Sequence, residues 1–229
     1  MKLGLHARDL PVLVGTGVTE AELAYGHLVE RDPVLCRLVH RFGRPEPFSR
    51  REEAGLGDHF SALVRYCGAR QFRAPSVSPV YAQICRASGG HPSPAVVAEL
   101  GAGRLTALGV PCADADRLVR LARAQLAGDL DLDLLAGRND HQVREILARY
   151  GIPREMADLF LIRRLHRPDV LPVDDPVLAP VIRRIWAGGS AGEGFGRQWA
   201  PFRTYAAALL WEVAQAGPPP GGGKLRGQR

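Results

Sequence analysis

Cysteine is scarce in this 229-residue chain, and the four present, Cys36, Cys67, Cys85 and Cys112, stand far apart. No two form a Cys-x-x-Cys pair. This argues against structural zinc and for reduced, packed thiols in a cytosolic protein. No run of about 18 apolar residues occurs, so no membrane-spanning helix is expected. The N-terminus lacks the charged-then-apolar order of a secretion signal. No internal repeat is evident, which sets solenoids and propellers aside. Acidic residues are the minority, 24 against 30 Lys and Arg, for a net charge of +6. That balance favours an anionic partner without identifying it, and part of it sits at the end of the chain in Lys224, Arg226 and Arg229.

Apolar residues make up 46% of the chain, enough for a substantial core in one large domain or two small ones. All the long elements read as helices. Residues 1–27 hold a short strand or an extended arm, Leu10 to Val14, and carry no assignable function. Thr19-Glu20-Ala21-Glu22 opens a helical pattern, and Asp32-Pro33 opens the next, with Val34, Leu35, Leu38 and Val39 inward. Helices follow from Gly57 to Cys67, from Ser78 to Ala87, from Ala95 to Leu100 and from Leu105 to Leu108, and an amphipathic one from Ala115 to Ala127. The three aspartates Asp129, Asp131 and Asp133 read as loop and cap groups, and no metal site is expected there. The tail after residue 216 is rich in Gly and Pro and is expected to be disordered.

The most informative stretch is 141–186. Val143, Ile146 and Leu147 sit at helical spacing, and Met156, Leu159, Phe160 and Ile162 resume that pattern after Gly151-Ile152-Pro153. Glycine ends one helix, and Pro153 suits the start of the next. Val170-Leu171-Pro172-Val173 is an extended connector. Asp174-Asp175-Pro176 then opens another helix, with Asp175 at the N-cap.

A helical hairpin on a glycine-containing turn, followed by Val-Leu-Pro-Val-Asp-Asp, resembles the helix-hairpin-helix superfamily of DNA glycosylases, and within it the 3-methyladenine DNA glycosylase II family. A second block, Trp199-Ala200-Pro201-Phe202-Arg203-Thr204-Tyr205-Ala206 with Leu210-Trp211 after it, matches the same family in the right order. The resemblance covers residues 28–215, without the family's N-terminal β-rich domain. It implies an all-α, two-lobed fold, in which helices from both chain ends close one lobe and the hairpin and Asp175 lie at the cleft. It implies hydrolysis of the N-glycosidic bond of alkylated purines in duplex DNA, with the damaged base flipped out. Asp175 falls at the catalytic aspartate position, while Asp174 caps or orients. A monomer in the cytoplasm, associated with the nucleoid, is expected, with no cofactor. Some members hold an iron–sulfur cluster on four cysteines after the catalytic region. No cysteine follows Cys112, so no cluster is expected here.

By the same resemblance the hairpin, Gly151, Ile152, Pro153 and Arg154, would hold a DNA phosphate through backbone amides, those of Glu155 included. The turn Arg70-Gln71-Phe72-Arg73 would enter the minor groove, with Gln71 as the matching residue. Arg70 and Arg73 either contact phosphates or solvate a helix end. Trp211 matches an aromatic of the base pocket. Glu155 and Leu159 stand where the family has tryptophan and tyrosine, so the pocket is partly dismantled. Tyr205, with Trp199 and Phe202, either replaces those rings or belongs to the core. Family members that also cut the strand keep a lysine at the position of Glu155. Glutamate cannot form a Schiff base, so lyase activity is not implied. Proline at 153, where the family has a second glycine, removes one N–H donor. Two other readings stay open: a DNA-binding homologue that recognises distorted duplex without catalysis, and a protein that kept only the fold.

Overall fold

The computed structural model describes residues 19–48, 57–68, 79–186 and 194–217. The expected arm at 10–14, the groove-entering turn with Arg70, Gln71 and Arg73, and nearly all of the tail lie outside the described residues. Among the described residues every regular element is helical, and the architecture is all-α, as the sequence implies. None of these helices is long and apolar enough to cross a membrane. The chain divides into two compact units, one built from residues 1–48 with 167–229, the other from 49–166.

The first unit joins the two ends of the chain. Its helices are α1 (Glu20–Arg31), α2 (Pro33–Phe42), α9 (Leu178–Ile185) and α10 (Arg203–Ala216), with α10 packed on α1, α2 and α9. A reciprocal cap begins α1: the Thr19 hydroxyl accepts from the Glu22 amide, and the Glu22 carboxylate accepts from the Thr19 amide. This helix therefore runs continuously across residue 27. Asp32 caps α2 through Oδ1, and its Oδ2 accepts from the Trp199 indole N–H at 3.0 Å. One buried carboxylate thus joins the start of α2 to the segment before α10. Tyr25, Leu28, Leu35, Leu178, Ile182, Trp199, Leu209 and Leu210 form the core.

The second unit contains α3 (His59–Gly68), α4 (Pro79–Ser88), α5 (Pro94–Ala107), α6 (Cys112–Ala127), α7 (Asp140–Arg149) and α8 (Arg154–Arg163). A kink at Gly101 (φ 66°, ψ 171°) divides α5 into the two pieces that the sequence separates. Asn139, not read as a cap from the sequence, starts α7 through a reciprocal exchange with Gln142. Every residue from Met156 to Ile162 is buried, so α8 is the unit's central helix. Its one buried charge, Asp158, is met by Arg144 Nε at 2.6 Å. The Asp129 to Leu135 stretch is loop followed by a 3-10 turn, Asp133–Gly137, with Asp131 capping the amide of Asp133. No group of three or more potential metal ligands converges among the described residues.

Candidate active site

Asp175 is reached through a connector whose path α10 determines. The buried Thr204 hydroxyl accepts from the Val170 amide at 3.0 Å and donates to the Arg167 carbonyl at 2.7 Å. The Thr204 amide donates to the Pro168 carbonyl at 2.9 Å. Arg203 grips Asp169 with two parallel bonds, Nε to Oδ1 at 2.7 Å and Nη2 to Oδ2 at 2.9 Å. Residues 167–170 are therefore held at both backbone and side chain by the first turn of α10. Gly196 (φ 72°) makes a further tie. A Cβ there would lie 2.7 Å from Trp199 and 2.8 Å from Leu171, so only glycine lets the indole and the connector close over this point.

From Leu171 the backbone turns through Val173, whose amide reaches the Leu171 carbonyl, and Asp175, whose amide reaches the Pro172 carbonyl. Asp175 is fully buried. Its Oδ1 accepts from the amides of Val177 at 2.7 Å and Leu178 at 2.8 Å. Regular helix begins at Leu178, later than Pro176 as the sequence suggests. Even so, these bonds, with the Ala179 amide on the Asp175 carbonyl, are those of an N-cap. Two short N–H bonds fix the orientation of the carboxylate. Such a group can stabilise positive charge that develops beside it without moving.

The other residues singled out in the sequence fall in different surroundings. Trp211 and Tyr205 both lie on α10, and both are buried. Tyr205 meets Tyr25 edge-on, with ring centroids 5.6 Å apart, and packs against Phe48 and Phe202. Burial first, then the nearby Glu20 and Glu46, push its phenol well above the ordinary tyrosine range. Of the two alternatives left open, core and pocket, the contacts of Tyr205 are those of core. Asp174 is exposed. Leu159 is buried inside α8, and Glu155 is half-buried in the first turn of that helix, both in the second unit.

The hairpin differs from expectation in its amides. α7 ends in a left-handed glycine, Gly151 (φ 80°), with the Gly151 amide on the Ala148 carbonyl at 2.9 Å and the Ile152 amide on the Leu147 carbonyl at 3.1 Å. This paired closure consumes the two turn donors, and the side chains of Ile152 and Leu147 are both buried beneath it. The amides of Gly151 and Ile152 therefore close α7 and do not point to a ligand. Pro153 sits at the N-cap of α8 (φ −66°, ψ 156°), one place before the first helical residue, and has no N–H. Arg154 and Glu155 remain as the first-turn amides of α8. The Arg154 side chain is exposed, with Nε 3.9 Å from Asp158.

Two groups escaped the sequence reading. Arg203, Thr204 and Asp169 form the clamp on the connector, although Arg203 and Thr204 lie within the matched block. Arg117 and Arg120 of α6 lie against the hairpin turn: a Cβ on Gly151 would meet Arg120 Nη2 at 3.0 Å and Arg117 Cγ at 3.3 Å. No local pattern marks them, because on an amphipathic helix they read as a solvated face.

The all-α fold is that of solved 3-methyladenine DNA glycosylases. Schizosaccharomyces pombe 3-methyladenine DNA glycosylase in complex with abasic DNA superposes with a TM-score of 0.70 at 24% identity, over 83% of this chain and 95% of that one. In sequence, the chain is 24% identical over 209 residues to DNA-3-methyladenine glycosylase 1 of that yeast, covering 87% of this chain and 89% of the relative. It is 29% identical over 122 residues to DNA-3-methyladenine glycosylase 2 of Escherichia coli, covering 52% of this chain and 42% of the relative. No family model matches. These relatives bear out the resemblance to the superfamily and, within it, to the 3-methyladenine glycosylases.

Proposed function

We propose that this protein is a monofunctional DNA glycosylase that releases alkylated purines from duplex DNA by hydrolysis. The observation that carries the reading is Asp175, a buried carboxylate with Oδ1 fixed by two backbone amides. It stands at the end of a connector clamped by Arg203 and Thr204, in a chain similar to two DNA-3-methyladenine glycosylases. Breaking the bond from C1′ to the base nitrogen leaves the electron pair on the base and positive charge on the sugar. Water then adds at C1′ and loses a proton. Asp175 stabilises the sugar cation electrostatically, as carboxylates do in glycoside hydrolysis. Glu155 offers no amine, so the reaction ends at the abasic site without strand cleavage.

The test is base release from methylated duplex DNA by the native protein and by Asp175→Asn. Asparagine caps a helix about as well as aspartate, so the helix start survives while the charge is lost. Base release is expected to fall by about 100-fold or more with DNA binding retained. A second reading, recognition of distorted duplex without catalysis, draws on Leu159 lying in the core and on hairpin amides spent within the turn. Equal absence of release from both proteins, across several alkylated bases and with binding intact, would establish that reading instead.

A further inference from the structure

We propose that Arg120, with Arg117 beside it, supplies the cationic donors by which this hairpin holds a DNA phosphate, in place of the amides that the turn has lost. The inference rests on the glycosylase reading above and extends it to one set of residues.

Three observations meet at the turn. The amides of Gly151 and Ile152 are bonded to α7 carbonyls, and position 153 has no amide at all. The turn itself therefore offers an anion fewer backbone donors. Secondly, α6 places two guanidinium groups against it, Arg120 Nη2 within 3.0 Å of where a Gly151 Cβ would stand and Arg117 Nε within 3.7 Å. Gly151 takes a left-handed backbone (φ 80°), and the two arginine side chains lie close over it. Thirdly, the two arginines differ in their partners. Arg117 is held by the buried carboxylate of Asp114, Nη1 to Oδ1 at 2.5 Å, which fixes its side chain along the turn. Arg120 is exposed, and among the described residues its guanidinium makes no ion pair. A planar group with several N–H donors, lying beside a turn and not neutralised there, matches a phosphate's oxygens with two parallel bonds. Arg154, exposed at the first turn of α8, adds charge on the same hairpin.

Each phosphate contact made by a cation contributes to the salt dependence of DNA binding, because it releases a condensed counterion. The experiment measures affinity for a short duplex carrying one stable abasic analogue over a range of salt, using the native protein, Arg120→Gln and Arg104→Gln. Arg104 is exposed on α5 in the same unit and serves as a control for net charge. Arg120→Gln should bind more weakly on every sequence, with a log–log salt slope shallower by about one. Arg104→Gln should keep the native slope. A native slope in Arg120→Gln, or an equal loss in Arg104→Gln, overturns the clamp while leaving the glycosylase reading intact. Failure of the native protein to bind duplex DNA at any salt overturns both.

Discussion

Thr204 ties the connector that leads to Asp175 to the first turn of α10. It accepts from the Val170 amide and donates to the Arg167 carbonyl, so its removal strands buried polar groups on a connector that ends, five residues after Val170, at Asp175. Thr204→Val keeps the shape and loses the bonds. The expected cost is about 1–3 kcal/mol of stability, read from the urea midpoint, because a buried donor is left without its acceptor. If the connector also sets the position of Asp175, base release at saturating DNA should fall by about 10- to 100-fold with little change in KM, and Thr204→Ser should restore it. Native turnover in Thr204→Val would deny the connector any positioning effect. At this scale the sequence was partly legible. Asp175 could be placed by its neighbours, Asp174 and Pro176, and by local cap chemistry. The partners of Asp175's connector could not, since Arg203 and Asp169 lie 34 residues apart and meet only through tertiary packing.

Among the elements, helices were legible wherever apolar spacing was regular, and caps were legible only in part. Asp32 and Thr19 announce their helices by residue type, whereas Asn139 stands among polar residues that set no boundary on the apolar run after it. The hairpin's turn was located correctly from Gly151 and Pro153, but which amides it exposes depends on how α7 closes, and that is a matter of backbone hydrogen bonding. Side chains that join elements were the least legible. His59 begins α3, accepts from Arg164 Nε at the end of α8 at 3.3 Å, and meets the Phe160 ring edge-on with centroids 5.3 Å apart. Burial first, then the Arg164 charge, hold its pKa below the ordinary 6.5, outweighing Asp133 and Asp58. The unfolded chain therefore takes up a proton at a higher pH than the folded one. Stability should be full above about pH 7 and should decline as pH falls through 6.5, where the unfolded state binds more protons. His59→Gln should flatten that part of the stability–pH curve. An unchanged slope in the variant would show that another group produces it.

For the molecule as a whole, the decisive feature is that one unit is contiguous in sequence and the other is not. The second unit runs from 49 to 166, while the first needs both chain ends. The two-lobed, all-α arrangement follows from the sequence by resemblance, but the dependence of α1 and α2 on α10 follows only from packing. Nine residues of α10 are buried, from Thr204 through Val213, and they cover α1, α2 and α9. Burying Leu209, Leu210, Trp211 and Val213 contributes about 1.5–3 kcal/mol each, or about 6–12 kcal/mol together. That is comparable with the entire net stability of an ordinary domain, about 5–15 kcal/mol. A chain ending at Phe202 should therefore lose the first unit altogether instead of being modestly weakened. The helices α3 to α8 should persist, because none of the elements that pack within their unit has been removed. Far-UV circular dichroism of the shortened chain should retain the helix signal of the second unit. Limited proteolysis followed by mass spectrometry should yield a protected fragment spanning α3 to α8, with α1 and α2 digested. Protection of residues 20–42 in the shortened chain would show that α1 and α2 hold together without α10, and the first unit would then owe its stability to contacts other than the C-terminal helix.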